Sequence, residues 1–162
     1  MSTRLIHRLL ETESTLGPLA VRIPVGIIFA AHGAQKLFGS FGGYGLDGTA
    51  QWMASIGLHP GELLALLAGS AEFFGGLALI LGLMLRPAAA LLAFTMLVAI
   101  FSVHISKGLF LTNGGFEYAL ALLAVSISLL VSGAGRLSLD RILDRKNADS
   151  GRTEVRGAGY VH

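Results

Sequence analysis

The chain contains no cysteine, and few of its residues are charged. Without cysteine, it cannot form a thiol redox pair, attach a c-type haem covalently or hold an iron–sulfur cluster through its own thiolates. Charged residues make up 14% of the sequence, whereas soluble domains carry roughly 25%. The net charge of only +2 does not indicate a nucleic-acid partner.

In place of charge, the chain has long apolar segments and a mean hydropathy of +0.69. Four of these segments, at about 18–37, 63–85, 88–106 and 116–132, predict membrane-spanning helices, because about 20 apolar residues cross a bilayer core of roughly 30 Å. The predicted fold class is all-α, an integral membrane four-helix bundle at 16–135 with short interfacial helices. One such interfacial helix is expected from Asp47 to Ile56, stopped by Gly57.

The basic residues are concentrated in the two ends of the chain, since eight of the 12 Lys and Arg residues lie in 1–15 and 136–162. The positive-inside rule therefore predicts cytoplasmic N- and C-termini and a multi-pass topology. Residues 1–15 are expected to be a cytoplasmic or interfacial segment without the apolar core of a signal peptide. Residues 136–162 are expected to be a basic, lipid-facing cytoplasmic tail with a disordered end.

Glu72 lies near the middle of the second apolar segment, where a carboxylate is costly unless it faces protein or a polar cavity and has a partner. In the predicted topology, six ionisable residues share the outer half of the membrane. Helix side chains lean toward the helix N-terminus, so these groups converge on a pocket with Glu72 at its floor. The six residues are His32, Lys36, Glu72, His104, Lys107 and Glu117.

Two chemistries could use such a pocket. Glu72 with His32 and His104 could exchange protons with a quinone-like ring, and these three are the candidate catalytic residues. Two histidines could instead ligate a haem, which is less favoured because His104 lies near a helix end; no metal site is predicted. In a purely structural alternative, Glu72 pairs with Lys36 or a histidine to hold the helices in register.

Four short motifs, in order, resemble those of the DoxX family and together cover roughly residues 16–144. The motifs are Arg22-x3-Gly26-x2-Phe29-x2-His32-Gly33-x2-Lys36-Leu37-Phe38-Gly39, Gly69-x2-Glu72-x2-Gly75-Gly76-x5-Gly82-x3-Arg86, His104-x3-Gly108-x-Phe110-x3-Gly114-Gly115-x-Glu117-Tyr118 and Gly135-x2-Ser138-Leu139-Asp140.

The resemblance implies a bacterial inner (plasma) membrane protein of four helices, in a family named after a small subunit of a membrane quinone oxidoreductase. It implies a redox-associated subunit with a quinone-type or small-ligand pocket, contact with membrane lipid, and an oxidoreductase partner subunit or a homo-oligomer. The matching positions add Arg22, Lys36 and Glu117 to the candidates, and Lys107 joins them as a ligand-binding residue. The alternatives are a small-solute or proton transporter and a scaffold that recruits a soluble oxidoreductase.

Overall fold

The computed structural model describes residues 16–144, and this part of the chain is helical with no strand. The expectations for 1–15 and for 145–162 lie outside the described residues. Five α-helices follow one another: α1 (Gly17–Phe38), α2 (Gly45–Ser55), α3 (Gly61–Leu81), α4 (Leu85–Ala99) and α5 (Glu117–Ser132). Beyond α4 the chain continues through a π-helical turn, Ile100–His104, and a 3₁₀ turn, Ile105–Lys107. The all-α membrane bundle expected from the sequence is confirmed.

Helices α1 and α3 pack backbone against backbone, because glycines face each other along their contact. A Cβ atom added at Gly33 would lie 2.3 Å from the backbone nitrogen of Phe73, and one at Gly76 would lie 2.4 Å from that of Ala30. Small residues at such positions let membrane helices approach closely. The contact fixes the register of α1 against α3 and so determines which side chains meet across it.

Helices α4 and α5 form the other half of the bundle and supply most of its core. Leu85 and Leu92 of α4 and Leu129 of α5 are almost completely buried, together with Phe29 of α1 and Leu79 of α3. Interdigitated apolar side chains of this kind pack at close to crystal density. The core therefore joins the α1–α3 pair to the α4–α5 pair.

The bundle has two ends with different roles. The loop end is formed by residues 39–60 and 108–116, which connect α1 to α3 and α4 to α5. The turn end is formed by residues 82–84, which connect α3 to α4, and by residues 133–144, which follow α5. All the cavities described below lie at the loop end.

The turn between α3 and α4 lies at residues 82–84, whereas the predicted spans 63–85 and 88–106 would place it at Arg86-Pro87. Met84 has a left-handed backbone conformation (φ 46°), and Pro87 falls in the first turn of α4, where a missing N–H costs nothing. The Asp140 carboxylate accepts hydrogen bonds from the backbone N–H groups of Met84 (2.7 Å) and Leu85 (3.0 Å). A residue distant in sequence thus caps α4, and this is why the helix begins three residues earlier than expected.

We expect Asp140→Ala to destabilise the protein by about 1–2 kcal/mol, the usual cost of removing a helix cap. The physical reason is that two backbone donors at the start of α4 lose their acceptor. The midpoint of thermal unfolding in detergent micelles measures the effect. Asp144→Ala is the matched control, because Asp144 is exposed in the same segment. Equal midpoints for the two variants would contradict the capping role.

Within residues 16–144, three helical segments are long and apolar enough to cross a membrane: Gly17–Phe38, Gly61–Leu81 and Leu85–Lys107. The fourth predicted span corresponds to α5, Glu117–Ser132, which is apolar but only 16 residues long. At about 1.5 Å per residue it measures roughly 24 Å, less than the thickness of a bilayer core. The four-span count and the orientation of the termini therefore stay predictions. The exposed apolar side chains along the long helices give the protein its contact with lipid.

Candidate functional site

The partner of Glu72 is Lys36. The Lys36 ammonium nitrogen donates a hydrogen bond to Oε2 of Glu72 and forms an ion pair with it across the α1–α3 contact. The Glu72 side chain is 5% exposed and that of Lys36 is 25% exposed. The pair is therefore asymmetric: the carboxylate depends on the lysine for its charge balance, whereas the lysine also reaches solvent.

The pair lies in the wall of a cavity of about 370 Å³, here called the central cavity, between the α1–α3 pair and the α4–α5 pair. Five of the seven sequence-predicted site residues line it. They are His32, Lys36, Glu72, His104 and Lys107. Most of the remaining wall is apolar and comes from every helix, including Phe29, Met53, Met96, Val98 and Leu122. A mostly apolar cavity with a few convergent polar groups is typical of a small-molecule site.

His104 is held in a defined orientation. It ends the π-helical turn Ile100–His104, and π turns inside helices are frequent at functional sites. Its ring atom Nδ1 lies 2.7 Å from the carbonyl oxygen of Gly114. Because a carbonyl can only accept, Nδ1 carries the hydrogen, and in the neutral imidazole Nε2 is then an acceptor. His104 can therefore accept a proton or a hydrogen bond through Nε2.

Glu117 does not line the central cavity; it stabilises the loop that orients His104. Its Oε1 accepts a hydrogen bond from the backbone N–H of Leu111 at 2.6 Å. Two backbone bonds close the same loop, from Phe116 to Gly108 (3.1 Å) and from Glu117 to Leu109 (2.9 Å). The loop in turn presents the Gly114 carbonyl to His104.

His32 and Tyr118 face each other on one flank of the cavity, from α1 and α5. Their ring centroids are 6.1 Å apart with the ring planes tilted by 55°, within the range of aromatic contacts. Both side chains are exposed and both line the cavity. His32 therefore stands at a rim, whereas Glu72 is at a buried position deeper in the wall.

Arg22 lies at the turn end, away from the central cavity. It is 2% exposed, and its Nη2 donates a hydrogen bond to the carbonyl oxygen of Leu137. The guanidinium lies directly over Gly82, since a Cβ atom there would be 1.5 Å from Nη1. Arg22 therefore joins α1 to the α3–α4 turn and to the segment after α5.

Trp52 is a wall residue that the sequence did not single out for the site. As an aromatic residue next to a glycine-rich loop, it has the pattern of a residue at the membrane–water interface. The structure instead places it in the lining of the central cavity, because α2 packs on α3. Met53 and Leu58 line the cavity with it. Only the packing of α2 reveals this role, since nothing in the local sequence distinguishes it.

Within residues 16–144, no group of three or more His, Cys, Asp and Glu side chains is placed to hold a metal ion. The polar groups of the cavity suit an organic ligand better: Lys36 is a donor, Nε2 of His104 is an acceptor, and Glu72 is a carboxylate shielded from solvent. Together they can hold a ring that carries oxygen substituents and exchange protons with it.

The family model of DoxX matches residues 17–105 of the chain. This stretch contains the ion pair, both histidines of the cavity and the helix α2 that covers it. The chain belongs to the DoxX family. The motif resemblance seen in the sequence is thereby confirmed.

Several curated DoxX-type relatives are similar over most of their length. The chain is 36% identical over 125 residues to "Putative oxidoreductase CatD" of Bacillus subtilis, covering 77% of this chain and 85% of that protein. It is 34% identical over 141 residues to "Inner membrane protein YqjF" of Escherichia coli, covering 81% and 95%. It is 32% identical over 149 residues to "Uncharacterized membrane protein Rv3486" of Mycobacterium tuberculosis, covering 86% and 88%. No solved structure matches the chain.

Proposed function

We propose that this DoxX-family protein is a redox-associated subunit of the bacterial inner membrane that binds a quinone-type ring in its central cavity. The observation that carries the proposal is the buried Glu72–Lys36 pair in the wall of a mostly apolar cavity that His104 also faces. A volume of about 370 Å³ lies within the usual range for small-molecule sites. The name of the Bacillus subtilis relative supports the association with oxidoreductases.

In this proposal the cavity residues have separate roles. Glu72 and His104 exchange protons with the hydroxyl groups of the ring, and His32 at the rim does so for the substituent nearest α5. Lys36 donates to a ring oxygen, and Lys107 contributes a second cation at the mouth of the cavity. Arg22 and Glu117 act on the fold, through the turn end and the 108–116 loop. A partner oxidoreductase subunit supplies or accepts the electrons.

The binding test uses Trp52, which is the single tryptophan of the chain and lines the cavity. Quinones quench tryptophan fluorescence at short range, so titration with decylubiquinone in nanodiscs measures occupancy directly. Saturable quenching is expected for the native protein. Glu72→Gln is expected to weaken binding by roughly 10-fold or more, as expected for losing a hydrogen bond to a charged group.

A matched pair of variants separates binding in the cavity from partition into lipid. Ala99→Phe adds a ring inside the central cavity, whereas Ala90→Phe adds the same ring on the exposed face of the same helix. Saturable quenching should disappear in the first variant and persist in the second. Quenching that does not saturate, or that is equal in both variants and in Glu72→Gln, rules the proposal out.

The second candidate function is transport of protons or a small solute, and the buried carboxylate of Glu72 near the middle of α3 favours it. Proteoliposomes loaded with a pH-sensitive dye test it. Proton flux that Glu72→Gln abolishes would replace the quinone proposal. Proton flux equal to that of empty liposomes would contradict a transport function.

A further inference from the structure

A second pocket of about 470 Å³ lies at the loop end, next to the central cavity, and Lys36 lines both. We call it the loop pocket. Its wall is formed by Gln35 and Lys36 of α1, by Tyr44, Thr49 and Trp52, and by the glycines at 42, 43 and 48. Two of these residues, Lys36 and Trp52, also line the central cavity. The two spaces are therefore neighbours that share a wall.

The two spaces are lined by different kinds of residue. The central cavity is lined mostly by apolar side chains from the bundle. The loop pocket presents an amide, a phenol and a hydroxyl among glycines, and Tyr44 at its edge is 83% exposed. A pocket of this size, open beside the exposed Tyr44, has room for several water molecules, since each needs about 30 Å³.

The exposure of the ion pair has the same asymmetry. Lys36 is 25% exposed, whereas Glu72, which lines only the central cavity, is 5% exposed. Lys36 thus bonds the carboxylate of the central cavity and is also part of the wall of the loop pocket.

Building on the proposed function, we infer that the loop pocket is the aqueous compartment of the site, through which water reaches Lys36. It supplies the proton route that an apolar cavity lacks. The O–H bond of a ligand hydroxyl breaks and its proton goes to the Glu72 carboxylate. Lys36 releases a proton to water in the loop pocket, and the proton on Glu72 then passes to the Lys36 amine. The pair returns to its starting charges, and one proton has left the ligand for the solution.

Chemical labelling of the native lysines tests this access route. A water-soluble acetylating reagent, sulfosuccinimidyl acetate, is applied to the protein in nanodiscs, and mass spectrometry follows Lys36 and Lys107 separately. Lys107 is the internal reference for variants of the loop pocket, because it is exposed and does not line that pocket. Because Lys107 does line the central cavity, Ala99→Phe is compared with the native protein by the absolute rate at Lys36. Thr49→Phe fills the loop pocket alone and Ala99→Phe fills the central cavity alone. The two variants therefore close one space each.

We expect Thr49→Phe to slow the acetylation of Lys36 at least fivefold relative to Lys107, and Ala99→Phe to leave the absolute rate at Lys36 within twofold of the native value. Gln35→Phe, which also narrows only the loop pocket, should act like Thr49→Phe and serves if that variant does not fold. The inference is overturned if Ala99→Phe slows the labelling instead, if no variant slows it, or if native Lys36 does not react.

The test is independent of quinone binding, since it needs no ligand. The Trp52 titration with decylubiquinone is expected to give an unchanged affinity in Thr49→Phe, because the two spaces are separate. A loss of affinity there would show that they form one space and would overturn the inference. If the native protein does not bind decylubiquinone, the proposed function is wrong. The labelling result would still show whether water reaches Lys36 through the loop pocket.

Discussion

Replacing Lys36 with methionine is expected to destabilise the folded protein by about 3 kcal/mol, since removing one partner of a buried ion pair leaves the other charge uncompensated. The residue left behind is Glu72, which is 4% exposed. It must then either take up a proton or stay charged without a counter-ion, and both cost free energy at neutral pH. Unfolding in mixed detergent micelles at neutral pH measures the loss.

Replacing the other partner of the ion pair, Glu72→Gln, is expected to destabilise the protein less than Lys36→Met. It leaves an unpaired lysine, but that lysine borders the loop pocket and can be hydrated there. The double variant Lys36→Met/Glu72→Leu, with both partners apolar, should recover most of the stability lost in Lys36→Met. A double variant no more stable than Lys36→Met would show that the loss comes from packing and that the unpaired carboxylate does not cause it.

Gly33→Ala is expected to destabilise the protein by about 2–3 kcal/mol, in the range of overpacked cores. The added Cβ would lie 2.3 Å from the nitrogen and 2.6 Å from the Cα of Phe73, and 2.7 Å from the carbonyl oxygen of Gly69. These are backbone atoms of α3, so the contact can be relieved only by moving α1 away from α3. That movement also pulls Lys36 away from Glu72, and decylubiquinone binding should weaken along with stability.

The control for Gly33→Ala is Ala20→Leu, which adds three carbons to the exposed face of the same helix. Its unfolding midpoint should match the native one. If Gly33→Ala is as stable as Ala20→Leu, the backbone contact between α1 and α3 is looser than described. The same comparison can be repeated from the other helix with Gly76→Ala, where the new Cβ would lie 2.4 Å from the nitrogen of Ala30.

The fold class was predictable because length and hydropathy alone decide whether a segment can lie in a bilayer. Glycines in apolar segments also favour close helix packing in general, and Gly76 of the second segment meets the backbone of α1. Helix limits were less predictable: the cap that starts α4 comes from Asp140, which is 55 residues from Leu85 in the sequence. A local pattern carries no information about such a contact.

The candidate site was predictable as a set but not as an arrangement. The free-energy cost of placing a carboxylate among apolar residues singled out Glu72. Side chains lean toward the N-terminus of their helix, so those on antiparallel helices converge, and this grouped Glu72 with His32, Lys36 and His104. Lys36 or either histidine could have been the partner of Glu72. The glycine contacts between α1 and α3 fix the register of the two helices, and in that register Lys36 is the residue that pairs with Glu72.

By itself, then, the sequence determined that the protein is a helical membrane protein of the DoxX type with a cluster of ionisable groups in an apolar setting. The helical fold and the cluster both follow from the free-energy cost of placing polar atoms in hydrocarbon. Each segment incurs that cost independently of how the others pack. The tertiary structure decided that Arg22 and Glu117 serve the fold, that Trp52 stands in the wall of two spaces, and that Lys36 faces both. Those outcomes depend on how α2 and the loops pack onto the bundle, and distances between residues far apart in sequence exist only once the chain is folded.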